Sequence, residues 1–404
     1  MKRYPTMKIL HTVESYHPSV GGMQEVVRQL SEQLVGLGHD VTVATSRHER
    51  RTESVLNGVK IIEFAISGSA VTGIAGESGQ YQDFLVSSRF DVVTSFAAQQ
   101  WATDLALPLL NRIAGVKIFV PTGFSGLFDE RCRDYYSAMP TWLAEYDMNV
   151  FLSDHYRDID FARQHEVEKI CIIPNGAAYH EFAPSVSGET RPAHGIPSDH
   201  FLVLHVGSHT GVKGHADVIR IFHESKLKKA TLLMIGNACD CGCANICAIK
   251  ARLFNLLPQN VLGGKRLLVK ELDRRQTVAA YHDADLFLFP SNIECSPLVL
   301  FECMASRTPF LTTDVGNASE IIQWSAAGAL LPTTHDRFGY ARADIKASVA
   351  MFDDLCRDED RRVNMQQDGF RAWSERFTWE RISADYETLY QRLLGETRSR
   401  GLPT

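Results

Sequence analysis

Short runs of β-branched and aliphatic residues recur along the whole chain, each bounded by Gly, Pro or Asp, with helical patterns between them. This alternation is the mark of βα units, and it predicts an α/β fold whose parallel sheets carry helices on both faces. In the first half the strand-like runs are KILHTV (8–13), DVTVAT (40–45), VKIIEF (59–64), DVVTSF (91–96), VKIFVP (116–121), NVFLS (149–153) and KICIIP (169–174). In the second half they are FLVLHVG (201–207), TLLMIGN (231–237), RLLVKEL (266–272), DLFLFPS (285–291), PFLTTD (309–314) and GALLP (328–332). Each set is enough for one doubly wound sheet. A length of 404 residues exceeds the ~100–200 that one core usually serves, so two domains are expected.

The segment 184–199 is rich in Pro and Gly and lacks hydrophobic periodicity, as an interdomain linker does. The expected division is therefore 1–183, a linker over 184–199, and 200–377. A final amphipathic helix over 378–395 is expected to cross back to the first domain. Met23, Val26, Val27, Leu30, Leu34 and Leu37 keep the i, i+3, i+4, i+7 spacing of a helix laid on a sheet, with Gly36 and Gly38 to stop it. Two such domains predict a ligand cleft at the carboxyl ends of the strands.

The formal charge of −6, from 42 basic and 48 acidic residues, gives no field that would gather nucleic acid. No apolar run is long enough to span a membrane, and the start MKRYPTMKILHTVE has charge and proline where a signal peptide carries its apolar stretch. A cytoplasmic location with mostly reduced thiols is expected. A nicotinamide dehydrogenase is disfavoured, because no G-x-G-x-x-G follows a strand.

The chemistry concentrates in DLFLFPSNIECSPLVLFECMASRTPFLTTD (285–314). A buried strand runs to Pro290, a loop carries Glu294, and a helix is expected to open with Ser296 as N-cap and Pro297 at its first position. The amides of Leu298 and Val299 would then head the helix, where its dipole favours phosphate. Glu302 follows about a turn and a half in. Beside a phosphate, carboxylates repel it, so Glu294 and Glu302 are expected to accept hydrogen bonds from sugar hydroxyls on either side.

With these residues the sequence resembles the family 4 glycosyltransferases of the GT-B fold. Glu294 and Glu302 match the family's E-x7-E pair, and Gly21-Gly22 in ESYHPSVGGMQEVV, IIPNGAAYHEFAP (172–184) and VGSHTGVKGH (206–215) follow in the family's order. The resemblance implies two Rossmann-like domains and a retaining transfer of a hexose from a UDP- or GDP-sugar to an acceptor hydroxyl. It gives Glu302 the ribose and Glu294 the donor hexose. Lys213 falls to the leaving diphosphate, and Gly21, Gly22, Ser208, His209, Gly316 and Asn317 to donor contacts. The nucleotide-sugar domain would be the second one, and the acceptor, a glycan or lipid-linked glycan, would meet the first. Peripheral contact with the cytoplasmic membrane face would follow from a lipid-linked acceptor.

Three positions depart from the family pattern. Ser208 stands where the family has an arginine, with His209, Lys265 or Arg266 as candidate substitutes. FVPTGFSGLFDE (119–130) lacks the family's histidine, which leaves Thr122, Gly123 and Phe124 as acceptor-side candidates. Cys295-Ser296-Pro297 replaces a glycine-rich segment. No DxD-like pair sits at a strand end, so no divalent metal and no other cofactor is expected in catalysis. Cys239, Cys241, Cys243 and Cys247 are a candidate structural zinc cluster, although C-x-C-x-C-x3-C departs from paired C-x2-4-C knuckles. The competing readings are a catalytically silent nucleotide-sugar-binding protein and an epimerase or phosphorylase of the same fold.

Overall fold

The computed structural model describes residues 5–183, 188–237 and 242–399. The chain divides into two compact units, one formed by Met1–Asn175 with Trp379–Thr404 and the other by Gly176–Thr378. The division falls at 175/176 and not within 184–199. Residues 188–199 fold onto the second unit, where Arg191 pairs with Asp285 at 3.0 Å and the Thr190 amide donates to Asp283 at 2.8 Å.

In the first unit, β1 (Lys8–Thr12), β2 (Asp40–Ser46), β3 (Val55–Leu56), β4 (Val59–Phe64), β5 (Val92–Phe96), β6 (Val116–Val120), β7 (Met148–Phe151) and β8 (Ile170–Ile172) form one sheet. Their order is β8-β7-β6-β5-β1-β2-β4-β3, parallel except for the β3–β4 edge. The central strands are buried on both faces, as parallel sheets require, which is why they read as continuous apolar runs. α1 (Gly22–Gly36) turns Val26, Val27, Leu30 and Leu34 inward and ends where Gly38 takes a φ of 97°. The last helix, Trp379–Ser399, belongs to this unit. It is fixed by His39 Nε2 to Glu387 at 3.0 Å and by the Tyr390 hydroxyl beside Thr94 at 2.9 Å.

The second unit has a six-stranded parallel sheet of β9 (Phe201–Val206), β10 (Ala230–Ile235), β11 (Lys265–Lys270), β12 (Leu286–Phe289), β13 (Phe310–Thr312) and β14 (Gly328–Leu330), in the order β11-β10-β9-β12-β13-β14. Side chains alternate across it. Leu202, Leu204, Phe287 and Phe289 join one core, and Val203, Leu286 and Leu288 the other. The helices that matter below are α2 (His215–Glu224), α3 (Cys243–Phe254), α4 (Arg274–Asp283), α5 (Leu298–Ala305) and α6 (Ala318–Ser325). Every strand expected from the apolar runs is present. The short pairs Ile66–Ser69 with Gly73–Gly76, and Thr333–His335 with Ala341–Ala343, were not expected, because none is long enough to show a period. No helix among the described residues is long and apolar enough to cross a membrane.

Candidate functional site

The chain enters the second sheet at β9, runs outward through β10 and β11, and returns to β12 on the other side of β9. The order therefore reverses between β9 and β12, and at such a point the loops leaving two neighbouring strands diverge and leave room for a ligand. The loops that leave the carboxyl ends of these two strands carry Ser208, His209 and Lys213 on one side and Glu294 and Ser296 on the other.

The two loops are joined by specific bonds. The Asn292 amide donates to the Val212 carbonyl at 2.8 Å, and the Ser291 hydroxyl donates to Glu294 Oε1 at 2.8 Å. Lys213 Nζ reaches the same Oε1 at 2.6 Å, with both side chains mostly buried. Gly214 must be glycine here: its φ is 73°, and a Cβ would lie 1.9 Å from the Pro290 carbonyl oxygen. A third loop, after β13, closes on the second. Thr313 Oγ1 donates to the Ser291 carbonyl at 2.5 Å and the Asn317 amide to the Cys295 carbonyl at 2.9 Å. Gly316, at φ 57°, leaves no space for a side chain, since its Cβ would meet Cys295 O at 2.3 Å.

α5 opens one residue later than expected. Pro297 is its N-cap, with φ −68° and ψ 112°, and Ser296 lies outside the helix and does not cap it. The reason is that Pro297 takes a ψ of 112°, outside the helical range, and the amide it lacks would have had no intrahelical partner at that position. Leu298 and Val299 therefore occupy the first two helical positions, half-buried. Glu302, in the middle of α5, is nearly buried and bonds Arg274 Nη1 at 2.5 Å. Arg274 also reaches Glu181 at 2.6 Å and lies over the Phe182 ring. The Tyr281 hydroxyl is pushed well above its ordinary pKa by burial first and by the Glu302 charge second.

Sequence reasoning missed Arg274, Glu181 and Ser291. Arg274 opens α4, where an Asp273/Gln276 capping box marks a helix start but says nothing of a partner in α5. The substitutes proposed for the absent arginine are excluded by their contacts. Lys265 is buried and donates to the carbonyls of Phe222, His223 and Ser225 at 2.7 to 3.1 Å, and burial pushes its pKa down to about 8. It also stands at the amino end of β11, the wrong end of the sheet. Arg266, beside it, donates to the Gly195 carbonyl at 2.5 Å. His209 is buried, and burial lowers its pKa, which favours the neutral ring.

The first unit carries the remaining candidates. Gly21 precedes α1 in extended backbone, and a Cβ built on Gly22 has no atom within 4 Å. Thr122, Gly123 and Phe124 are three consecutive left-handed residues at φ 60°, 103° and 44°. Such backbone is costly at a β-branched threonine and is found where a fold holds a loop for a purpose. The Gly123 amide bonds Asp158, whose burial pushes its carboxyl up to about 6. Phe124, expected on the acceptor side, instead has its ring 1% exposed and packed edge-on against Tyr136 and Phe161, inside the core. Of the four clustered cysteines, Cys239 and Cys241 lie outside the described residues. Cys247 is buried in the apolar core with Phe254 and Leu267, and Cys243 opens α3.

Known proteins share this architecture. A sucrose-phosphate synthase from Thermosynechococcus elongatus matches with a TM-score of 0.76 at 18% identity, over 96% of this chain and 99% of that one. Anabaena Alr3699/HepE, solved in complex with UDP-glucose, matches at 0.72 and 16% identity, over 95% and 100%. These likenesses define the GT-B glycosyltransferase fold of two Rossmann-like domains. The model of Glycosyltransferase Family 4 matches residues 20–178, and that of Glycosyl transferases group 1 matches residues 186–370. Over 95% of its length the chain is 23% identical to the N-acetyl-alpha-D-glucosaminyl L-malate synthase of Bacillus anthracis, covering 97% of that protein. The chain belongs to the family 4 glycosyltransferases.

Proposed function

We propose that this protein transfers a hexose from a UDP-sugar to an acceptor hydroxyl with retention of anomeric configuration. The observation that carries this reading is the Lys213–Glu294 pair held at the reversal point of the second sheet. A diphosphate leaving group needs a cation, and the hexose beside it needs an acceptor for its hydroxyls. On donor binding Lys213 turns to the diphosphate, together with the Leu298 and Val299 amides and the positive end of α5. Glu294 then accepts from the hexose, and Glu302, oriented by Arg274, accepts from the ribose. Ser208, Ser296, Gly316 and Asn317 complete the donor contacts of the second unit. Gly21 and Gly22 keep the donor-contact role that the resemblance gives them, and a Cβ on Gly22 would meet nothing within 4 Å.

In the reaction the bond from C1 to the β-phosphate oxygen breaks, and the acceptor oxygen bonds C1 from the same face. The acceptor proton passes to the departing diphosphate. No metal ion is invoked, because Lys213 and the helix end supply the charge. UDP is favoured over GDP by the UDP-glucose bound in Alr3699/HepE. The acceptor is a glycan or lipid-linked glycan of polysaccharide or glycolipid biosynthesis, met near Thr122 and Gly123 by a cytoplasmic enzyme resting at the membrane face.

A thermal-shift screen of UDP, GDP, ADP and their sugars tests the donor, since a ligand at 100 times its Kd stabilises by about 2.7 kcal/mol. Stabilisation by UDP-sugars and release of UDP with an α-configured product from an α-configured donor is the expected result. Binding without turnover on a panel of glycan acceptors would favour the silent binding protein, a reading that Ser208 in place of the arginine keeps open.

A further inference from the structure

We propose that His209, His215 and Cys243 form a structural zinc site that ties the loop carrying Lys213 to the start of α3. These three are the cluster of potential metal ligands among the described residues, with one ligand atom from each lying within 4.8 Å of the others. Cys243 Sγ is 3.6 Å from His209 Nδ1 and 4.0 Å from His215 Nδ1. Zinc bonds nitrogen at about 2.0–2.1 Å and sulfur at about 2.3 Å, so tetrahedral ligands of one ion stand roughly 3.3–3.6 Å apart. Both nitrogen-to-sulfur separations fall within about half an ångström of that range, and the ring nitrogens lie within 4.8 Å of one another, so a shared ion draws the two imidazoles together.

The imidazoles are set for this task. His215 Nε2 faces the Gly207 carbonyl at 3.1 Å, and since a carbonyl can only accept, Nε2 carries the proton. That leaves the lone pair of Nδ1 directed at Cys243. A backbone carbonyl behind the ring is the usual device that fixes a metal-binding histidine. The His209 and His215 rings stack with centroids 4.3 Å apart and planes 22° from parallel, so neither turns away without disturbing the other. His209 and His215 are buried, and Cys243 is half-buried. Two imidazoles and a thiolate suit zinc better than magnesium or calcium, which prefer oxygen.

The chain geometry gives the ion a task. His209 follows β9, His215 opens α2, and Cys243 opens α3. One ion would clamp both ends of the 209–215 segment, and so the backbone on either side of Lys213, against the start of α3. The site differs from a four-cysteine knuckle in drawing on two histidines, and Cys247, one turn further along α3, lines the core while its side chain hydrogen-bonds that of Cys243. Its existence does not depend on the transferase reading, and its readouts do not use sugar transfer.

The test is metal content of the full chain by mass spectrometry, after dialysis against metal-free buffer, with cobalt substitution as a second readout. One equivalent of zinc per chain is expected. The cobalt form should show a thiolate-to-metal charge-transfer band together with the visible bands of a tetrahedral ion. Cys243→Ser should abolish the charge-transfer band, and His209→Gln and His215→Gln should each weaken binding at least about tenfold. Far-UV circular dichroism identifies a variant that fails to fold. In that case competition of the wild-type chain with a chromophoric chelator, which requires no substitution, gives the affinity. Chains that hold no zinc at micromolar metal overturn the proposal. So does binding that survives in all three variants and is lost in Cys239→Ser/Cys241→Ser, which would place the ion elsewhere.

Discussion

Lys213 Nζ and Glu294 Oε1 stand 2.6 Å apart, although the residues leave different strands of the sheet. The pair puts a cation and an anion side by side at the reversal point, each neutralising the other, and in the proposed reaction a diphosphate and a sugar would separate them. Lys213→Ala is expected to lower kcat with the preferred nucleotide sugar by about 10²–10³, the effect of losing one group that meets developing charge. Because the mostly buried Glu294 keeps the Ser291 hydroxyl but loses its cation, the loss in unfolding free energy should be about 1–3 kcal/mol. Initial-rate kinetics with urea unfolding check both, and a wild-type kcat would remove Lys213 from the mechanism.

Glu302 and Glu181 share one guanidinium. Glu302→Ala is expected to weaken nucleotide binding by about 10- to 100-fold, the worth of a hydrogen bond to a charged group. Arg274→Ala should act mainly on stability, costing roughly 1–3 kcal/mol by leaving two carboxylates adjacent in a largely buried place. Calorimetric titration of the nucleotide and thermal unfolding separate the two, and equal effects of both substitutions on both readouts would contradict this division of labour.

Glycines of the two units differ in what they do. Gly316→Ala forces a Cβ against Cys295 O at 2.3 Å and should destabilise the second unit by about 1–3 kcal/mol. Gly22→Ala meets nothing within 4 Å, so stability should stay within about 0.5 kcal/mol while the donor KM rises. An unchanged KM in a folded Gly22→Ala chain would show that the bare backbone is not used.

His11 is buried, bonds the Ser31 hydroxyl at 2.8 Å, and has its pKa pushed down to about 3 by burial. Against about 6.5 in the unfolded chain, the folded ring binds fewer protons, so its contribution is complete above pH 6.5 and is lost as the pH falls toward 3. His11→Gln removes that titration. The stability gap between wild type and variant should therefore narrow by about 2–3 kcal/mol from pH 7 to pH 4.5. Urea unfolding at the two pH values measures it, and a constant gap would mean that His11 is protonated in the folded protein.

The sequence by itself determined the α/β class, the strands and the position of the E-x7-E pair. Those properties are written in local period and spacing: an apolar run such as FLVLHVG, too short for a buried helix and bounded by turn residues, reads as a buried strand. Glu294 and Glu302 were legible because nine consecutive residues of one loop and helix hold both. What only the tertiary structure decided are the partners. Lys213 meets Glu294, Arg274 meets Glu302, and Cys243 meets His209 and His215. Each of these contacts joins residues from separate βα units, and strand order brings such units together. Strand order depends on which sheet edges pair, a choice made by the whole core and not by the residues of any one turn. Lys265 shows the same limit in reverse: its charge is plain in the sequence, but only the fold shows that it stands at the amino end of its strand, bound to backbone carbonyls and remote from the site.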